Sequence, residues 1–316
     1  MRVLVTGAAG FTGMWMMEFL AAQRGVTPIG LGRRHIPETG KNPDSFIAAD
    51  ILDPDALHEA TAGIRPDAVI HLAGLTRGTP DALHATNVTG TKNLLDASLA
   101  VNPDCRILVV SSSAVYGYAG DLPIPETASL KPVSDYGTSK VAQETLSLNY
   151  DNLDASIAVA RPFNLAGPGQ PESFVCGRIV KQVVEIEKKT RTAIELHEIT
   201  SARDLIDVRD VVRGYWALVS HPDFTGNCSK NVFNLGSGNA YRLSAIIALV
   251  EEITGEHYEI RIPETPPSIP VPTQRSDNSR ITALTGWQPA ISLKETLRDM
   301  LEAERNKKEC RGGSIR

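Results

Sequence analysis

Tyr136 and Lys140 stand four residues apart in "VSDYGTSK", a small and polar stretch. A tyrosine phenol has an ordinary pKa of about 10, so alone it exchanges few protons at neutral pH. A lysine one helical turn later lies on the same helix face and can bring its ammonium to the phenol. That cation favours the phenolate and is expected to lower the tyrosine pKa. "VVSSSAVYG" supplies three hydroxyls, Ser111, Ser112 and Ser113, at the end of an apolar run. Together these groups can polarise a carbonyl or an alcohol and move a proton to or from it. The same spacing also arises by chance at a helix start, and Ser134 is placed to cap such a helix. The rest of the chain decides between the two.

"VLVTGAAGFTG" sets Gly7, Gly10 and Gly13 after a short apolar strand and at the head of a helical pattern. Gly7 suits a tight turn, Gly10 a backbone that approaches a pyrophosphate, and Gly13 close packing of helix on strand. The helix N-terminus, with Phe11 and Thr12, then meets the phosphate charge. Glycines alone are a weak signal, but strand before and helix after is the context a dinucleotide site requires. The second apolar run ends in Gly32, Arg33 and Arg34. NAD sites place an acidic residue there for the ribose 2′-OH, whereas an arginine pairs with a 2′-phosphate. Arg33 therefore favours NADP(H) over NAD(H); a solvated loop charge is the plainer alternative. Asp50 and Ile51 close the third run, where adenine contacts fall, although Asp50 could equally cap the helix of "DPDAL". Leu72, Ala73 and Gly74 of "HLAG" are expected beside the ribose and phosphate. Asn87 is either the N-cap of the next helix or a support for the site.

These groups need elements to hold them. "VLV", "PIGL", "SFIAAD", "AVIHLA", "RILVVSS" and "ASIAVARP" read as strands, and between them "MWMMEFLAAQ", "PDALHEATAG", "NVTGTKNLLDASLA" and "YGTSKVAQETLSLNY" read as helices. Near-continuous apolar strands alternating with helices imply right-handed βαβ units around a buried parallel sheet. After Pro162 come a loop, "FNLAGPGQPES", a helix "FVCGRIVKQVVEIEKK", a strand "TAIEL", a loop–helix "RDLIDVRDVVRGYWALV" and a strand "NVFNLG". A helix "LSAIIALVEEITG", a proline-rich span and a last helix "SLKETLRDMLEAER" follow. The expected fold is α/β: a Rossmann-type doubly wound parallel sheet with a smaller C-terminal α/β substrate lobe. Residues 1–165 and 202–235 would form the dinucleotide domain, 166–201 and 236–316 the substrate lobe. Ligands of such sheets bind at the carboxyl ends of the strands.

The bulk numbers exclude other classes. Of 316 residues 42% are hydrophobic and 22% charged, with a net charge of −5 and no dense basic patch. Nucleic acid is thus not the expected partner. Cys105, Cys176, Cys228 and Cys310 stand far apart without nearby histidine pairs, so reduced thiols are expected rather than a metal site or disulfides. No signal-like segment and no membrane-length apolar run is seen, and the expected location is cytoplasmic with no membrane partner.

Across nearly its whole length the chain resembles the extended short-chain dehydrogenase/reductases that act on nucleotide sugars. The resemblance rests on "TGAAGFTG", "HLAG", "NVTGTKNLL", "SSSAVYG", "YGTSK", "RPFNLAGPGQ", "RDLIDVRDVV" and "TGWQPAISLKETLRDML". It implies that Tyr136 is the acid/base, that Lys140 lowers its pKa and binds the cofactor ribose, and that Ser112 is the catalytic hydroxyl. Thr76, Ser113, Asn164 and Arg203 become substrate contacts; the plainer readings are a turn side chain for Asn164 and a surface ion pair with Asp204 for Arg203. Dimers through "NVTGTKNLLDASLA" and "YGTSKVAQETLSLNY" are implied as well.

Within that family the C-terminal half is most similar to the GDP-4-keto-6-deoxy-D-mannose reductases. Family dehydratases carry an Asp-Glu pair after the catalytic hydroxyl, where this chain has Ser113 and Ala114. Neither can supply the acid that elimination of water needs. One departure from the reductases is Pro266 at the place of their diphosphate-binding arginine, so either Arg275 takes over or that contact is lost. The resemblance implies an NADPH-dependent reductase of a nucleotide-linked 4-keto-6-deoxy sugar. The alternatives are a nucleotide-sugar 4-epimerase, which keeps NAD tightly bound, and a non-catalytic dinucleotide sensor. Retention of both Tyr136 and Lys140 speaks against the sensor.

Overall fold

The computed structural model describes residues 1–33, 46–150, 155–197, 201–262 and 271–307; Arg34, Pro266 and Cys310 lie outside them. The first half runs β1 (Arg2–Thr6), α1 (Phe11–Ala21), β2 (Thr27–Gly32), β3 (Phe46–Ala48), α2 (Pro54–Ile64) and β4 (Ala68–His71). Then come α3 (Pro80–His84), a π-helical turn (Ala85–Thr89), α4 (Gly90–Val101), β5 (Arg106–Val110), α5 (Asp135–Leu148) and β6 (Ile157–Pro162). The second half has β7 (Asn164–Ala166), α6 (Val175–Glu187), β8 (Ile194–Glu195), β9 (Ala202–Asp207), α7 (Val208–Val219) and β10 (Val232–Leu235). It closes with β11 (Ala240–Arg242), α8 (Leu243–Thr254), β12 (Ile260–Arg261), β13 (Thr273–Gln274), α9 (Ser279–Thr285) and α10 (Leu293–Arg305).

Among the described residues, seven strands form one sheet in the order β10-β6-β5-β4-β1-β2-β3. Every pairing in it is parallel. The chain builds outward from β1 to β3, then returns to the other side of β1 with β4. That reversal opens a crevice between the ends of β1 and β4, where an open α/β sheet takes its ligand. Strands buried on both faces must be apolar throughout: Val3, Leu4 and Val5 are all fully buried. Met16 and Leu20 of α1 pack with Val211, Tyr215 and Leu218 of α7 on one face. Leu57 of α2 and Leu94 and Leu95 of α4 cover the other. Each such large side chain contributes about 1.5–3 kcal/mol on burial. A third cluster joins α6, α8 and α10 through Ile179, Val183, Ile246, Val250, Leu297 and Leu301.

Two sequence expectations change. "RDLID" belongs to the strand β9 rather than a loop, flanked by β11 and β13 on opposite edges and pairing with β7 through its last three residues. The helix expected from "NVTG" begins earlier, at Pro80, with the Thr79 hydroxyl accepting from Ala82 N.

Candidate active site

The glycine turn sits where the sheet reverses. Gly7 has φ +68°, a left-handed conformation that favours glycine. A Cβ there would lie 2.8 Å from the Ala73 nitrogen, so the turn after β1 rests directly on the chain leaving β4. Gly10 begins α1 with no side-chain cap and no acidic residue in the first turn. Gly13 faces the Gly7 carbonyl and Ala8 with no room for a Cβ. The free amide end of α1 thus points its positive dipole into the crevice with nothing on its own first turn to neutralise it.

A cleft of about 440 Å³ opens beside this turn. It gathers Phe11 and Thr12 of α1, Leu72, Gly74 and Thr76 after β4, Ser112 and Ser113 after β5, Tyr136 and Lys140 of α5, and Asn164 of β7. Gly7 and Ala73 lie in the turns after β1 and β4, Gly10 caps α1 and Gly13 lies within it; none of the four is among the residues lining the cleft. Arg33 is exposed just past β2, and Asp50 and Ile51 follow β3; none of these three lines the cleft. Arg203 and Arg275 are also not among the residues lining it. Arg203 donates to the Ala202 and Val271 carbonyls at 3.0 and 2.7 Å. Sequence reasoning missed Arg77, Gln170, Phe174 and Tyr215, which lie in the cleft wall. The Arg77 guanidinium donates to Ser173 O at 2.8 Å, so the loop after β4 meets the loop before α6.

Ser134 caps α5, its hydroxyl accepting from Gly137 N at 3.1 Å. That fixes the helix start, so Tyr136 falls in the first turn and Lys140 one turn deeper. Of the three serines, Ser112 is the one near enough to the Tyr136 phenol to influence its proton, and its hydroxyl accepts from Ala114 N at 3.1 Å. Burial pushes the phenol above its usual range, with the Ser112 hydroxyl opposing. The expected lowering by Lys140 is not what the geometry gives. The Lys140 ammonium lies 5.9 Å from the ring centroid and donates to Val110 O at 2.9 Å and Gln143 Oε1 at 2.8 Å. Burial brings its pKa down to about 8, with Glu144 opposing. At neutral pH Tyr136 is therefore a protonated phenol, a group that can donate a proton.

The plainer readings of four residues are overturned. Asp53, not Asp50, caps α2, accepting from Asp55 N and Ala56 N at 3.1 and 3.0 Å; Asp50 accepts from Leu52 N in a turn. Asn87 lies inside the π-helical turn and caps nothing. Fully buried, it accepts from Leu75 N at 2.8 Å and donates to Leu75 O and Ser139 Oγ, both at 2.9 Å. Asn164 belongs to β7 and ties it to β9 by donating to Asp204 O at 3.1 Å. The Asp204 carboxylate is buried and accepts from Ser237 N and Oγ, Gly238 N, and Ser276 N and Oγ. Its acceptor capacity is spent on these five donors rather than on a surface partner.

Among the described residues no group of three or more His, Cys, Asp or Glu side chains could hold a metal ion, and no helix is long and apolar enough to cross a membrane. A second groove, about 490 Å³, lies along α6 and β8. Lys181 pairs there with Glu172, and Arg191 with Glu185 at 2.8 Å and Glu195 at 3.4 Å, so its charges largely cancel one another.

Residues 3–236 match the family described as the NAD dependent epimerase/dehydratase family. The GDP-6-deoxy-D-mannose reductase of Pseudomonas aeruginosa is 34% identical over 313 residues, covering 95% of this chain and 96% of that one. The UDP-glucose 4-epimerase of Mycolicibacterium smegmatis is 31% identical over 321 residues, 97% of this chain and 99% of its own. Among solved structures, RMD from Pseudomonas aeruginosa complexed with NADPH superposes with a TM-score of 0.83 at 32% identity, covering 96% and 99% of the two chains.

Proposed function

Because the chain belongs to the NAD dependent epimerase/dehydratase family, we propose that it is an NADPH-dependent reductase of a nucleotide-linked 4-keto-6-deoxy sugar. One observation carries the reading. A phenol that burial keeps protonated faces Ser112 in a cleft where Ser113 and Ala114 offer no carboxylic acid. Such a site can protonate a developing alkoxide but lacks an acid at these positions to expel water. The similarity to the GDP-6-deoxy-D-mannose reductase supports the choice of substrate class.

The chain's own groups suit a dinucleotide. The Gly7 turn packs so tightly on the chain leaving β4 that no Cβ fits, and the uncapped end of α1 beside it offers amides and a positive dipole to a pyrophosphate. Phe11, Thr12, Leu72, Ala73 and Gly74 stand beside that helix end, and Arg33 past β2 favours a 2′-phosphate. Asp50 and Ile51 fall on the adenine side. A bound NADPH would supply the hydride that goes to the sugar C4. Tyr136 gives its proton to the C4 oxygen, Ser112 donates a hydrogen bond to the same oxygen, and the reduced C4 is left as an alcohol. The Lys140 ammonium stabilises the phenolate left behind until solvent returns a proton. Thr76, Ser113 and Asn164 face the sugar, and Arg203 and Arg275 reach the nucleotide end. On this reading residues 1–165 and 202–235 carry the cofactor and 166–201 and 236–316 the sugar nucleotide, in a dimer joined through α4 and α5.

The test is direct. With GDP-4-keto-6-deoxy-D-mannose and NADPH, nicotinamide absorbance should decay with one alcohol formed per cofactor oxidised. No oxidation with any nucleotide 4-keto sugar overturns the reading. Protein that purifies with NAD and interconverts 4-hydroxyl epimers without net turnover of NADPH is an epimerase instead.

A further inference from the structure

Beneath Lys140 lies a file of buried polar groups for which the cleft chemistry above has no use. Thr6, His71, Asn87, Thr91 and Gln143 are all fully buried. Lys140 has only donors, so the Gln143 carbonyl oxygen must face it, at 2.8 Å. The Gln143 amide nitrogen then donates to Thr91 Oγ1 at 2.8 Å. Thr91 has one proton, and it goes to the Asn87 carbonyl at 2.7 Å. His71 Nε2, 2.9 Å from the same oxygen, must therefore be the protonated nitrogen. That leaves His71 Nδ1 to accept from Thr6 Oγ1 at 2.7 Å, and Thr6 Oγ1 accepts from Ala73 N at 3.2 Å. Every proton is assigned: donors run inward from Lys140 through Gln143 and from Ala73 through Thr6 and His71, and the two runs meet at Thr91 Oγ1, whose own proton leaves to Asn87 O.

We infer that Gln143 is a positioning residue for Lys140, the near end of a hydrogen-bonded chain through Thr91, His71 and Thr6 that ties the ammonium to the turn against Gly7. The chain starts at α5, crosses α4 and β4, and ends on β1, so it spans the switch point of the sheet. Ala73 N, which donates to the Thr6 hydroxyl at that end, is the atom against which the Gly7 turn rests. This arrangement has His71 neutral, because a second proton on Nδ1 would take from the Thr6 hydroxyl the acceptor for its own proton. Burial and the Lys140 charge hold it neutral, with a pKa of about 3. A buried ammonium without an acceptor is costly. Gln143 therefore both fixes where the ammonium sits and favours its charged form. The charged or titratable groups about Lys140 are Tyr136 and Glu144 on α5 and His71 from β4.

The inference rests on the reading of Lys140 as a site residue, and its test needs no turnover. Protein labelled at the lysine ε-carbon reports the Lys140 titration by NMR, the resonance being assigned by its loss in Lys140→Met. Gln143→Leu should move that titration down by about one pH unit, and Gln143→Glu should move it up. In active protein the alkaline limb of kcat should follow in the same two directions. Gln182→Leu, which removes a buried glutamine that bonds Glu195 N and O on α6 and β8, should leave both unchanged. If Gln143→Leu does not fold, Thr91→Val should give the same downward shift, smaller. Titrations that match the wild type in both Gln143 variants, or a Gln182→Leu shift of equal size, overturn the inference. Absence of sugar reduction with these shifts intact overturns only the proposed reaction.

Discussion

Glu144→Gln tests how α5 is held to the sheet. Arg161 of β6 donates from Nε to Glu144 Oε1 at 2.9 Å and from its terminal nitrogen to Oε2 at 2.6 Å. The two side chains are only 4% and 2% exposed, so neither charge has water to turn to. The other terminal nitrogen donates to Tyr116 Oη at 2.8 Å and Glu126 O at 3.2 Å, neither of which carries a compensating charge. A glutamine keeps the shape but offers one acceptor, turns an NH2 against a guanidinium N–H and leaves a buried cation unpaired. Breaking one partner of such a pair costs about 3–5 kcal/mol, a large share of the roughly 5–15 kcal/mol that holds a native domain. At about 2 °C per kcal/mol for a chain of this size, Tm should fall by about 6–10 °C. Glu144 is also the carboxylate that supports the Lys140 charge, so the Lys140 titration should drop further. Thermal unfolding by circular dichroism measures the first effect, and the alkaline limb of kcat the second. Removing both charges, as Glu144→Leu with Arg161→Met, should recover much of the Tm, because no buried ion is then left alone. A Tm loss under about 2 °C in the single variant would refute the reasoning, since it would mean that the guanidinium finds water or another partner.

Tyr136→Phe keeps the ring and removes the proton, so kcat should fall by about 10²–10⁴-fold, while NADPH affinity by fluorescence titration stays within a few-fold of wild type. Arg33→Asp should cut the ratio of kcat/KM for NADPH over NADH by at least about tenfold; an unchanged ratio removes Arg33 from cofactor choice. His71 is lowered from an ordinary 6.5 to about 3, so between those values the unfolded chain binds more protons and stability rises with pH. The contribution is complete above pH 6.5 and declines as pH falls toward 3, by roughly 4–5 kcal/mol at the bottom of the window. Urea unfolding at pH 4.5 and 7.5 should show this fall, and a His71→Gln variant should show a shallower one.

The groups that repeat a local pattern were readable from the sequence. The Gly7 turn needs only a strand, three glycines and a helix in succession, and Tyr136 and Lys140 need only one helical turn between them. Ser134 as the cap of α5 is equally local. β9 was hidden because "RDLID" alternates too little to mark a strand; its pairings with β11, β13 and β7 come from segments up to about seventy residues away. Asp50 and Asp53 have the same side chain within one turn of the helix start, and only the backbone path shows which one the α2 amides meet. The Tyr136 pKa was misjudged for a related reason. Spacing puts the ammonium on the right helix face, but the acceptors that hold it, Val110 O and Gln143 Oε1, come from a neighbouring strand and from a residue with no chemical signature of its own.

Asp204 bears on how this chain could be recombined with its relatives. One carboxylate gathers donors from residues 237–238 and from Ser276, nearly forty positions apart, while its own backbone oxygen receives Asn164 from β7. Those pieces are contiguous in space but scattered in sequence, so any crossover between Asn164 and Ser276 separates some of them from the rest. A chimera that takes the region after β10 from another protein inherits the knot only if that donor also places hydroxyls at both positions. Otherwise the buried carboxylate arrives without its donors. The natural unit of exchange here is the ring of residues around Asp204, not a length of chain.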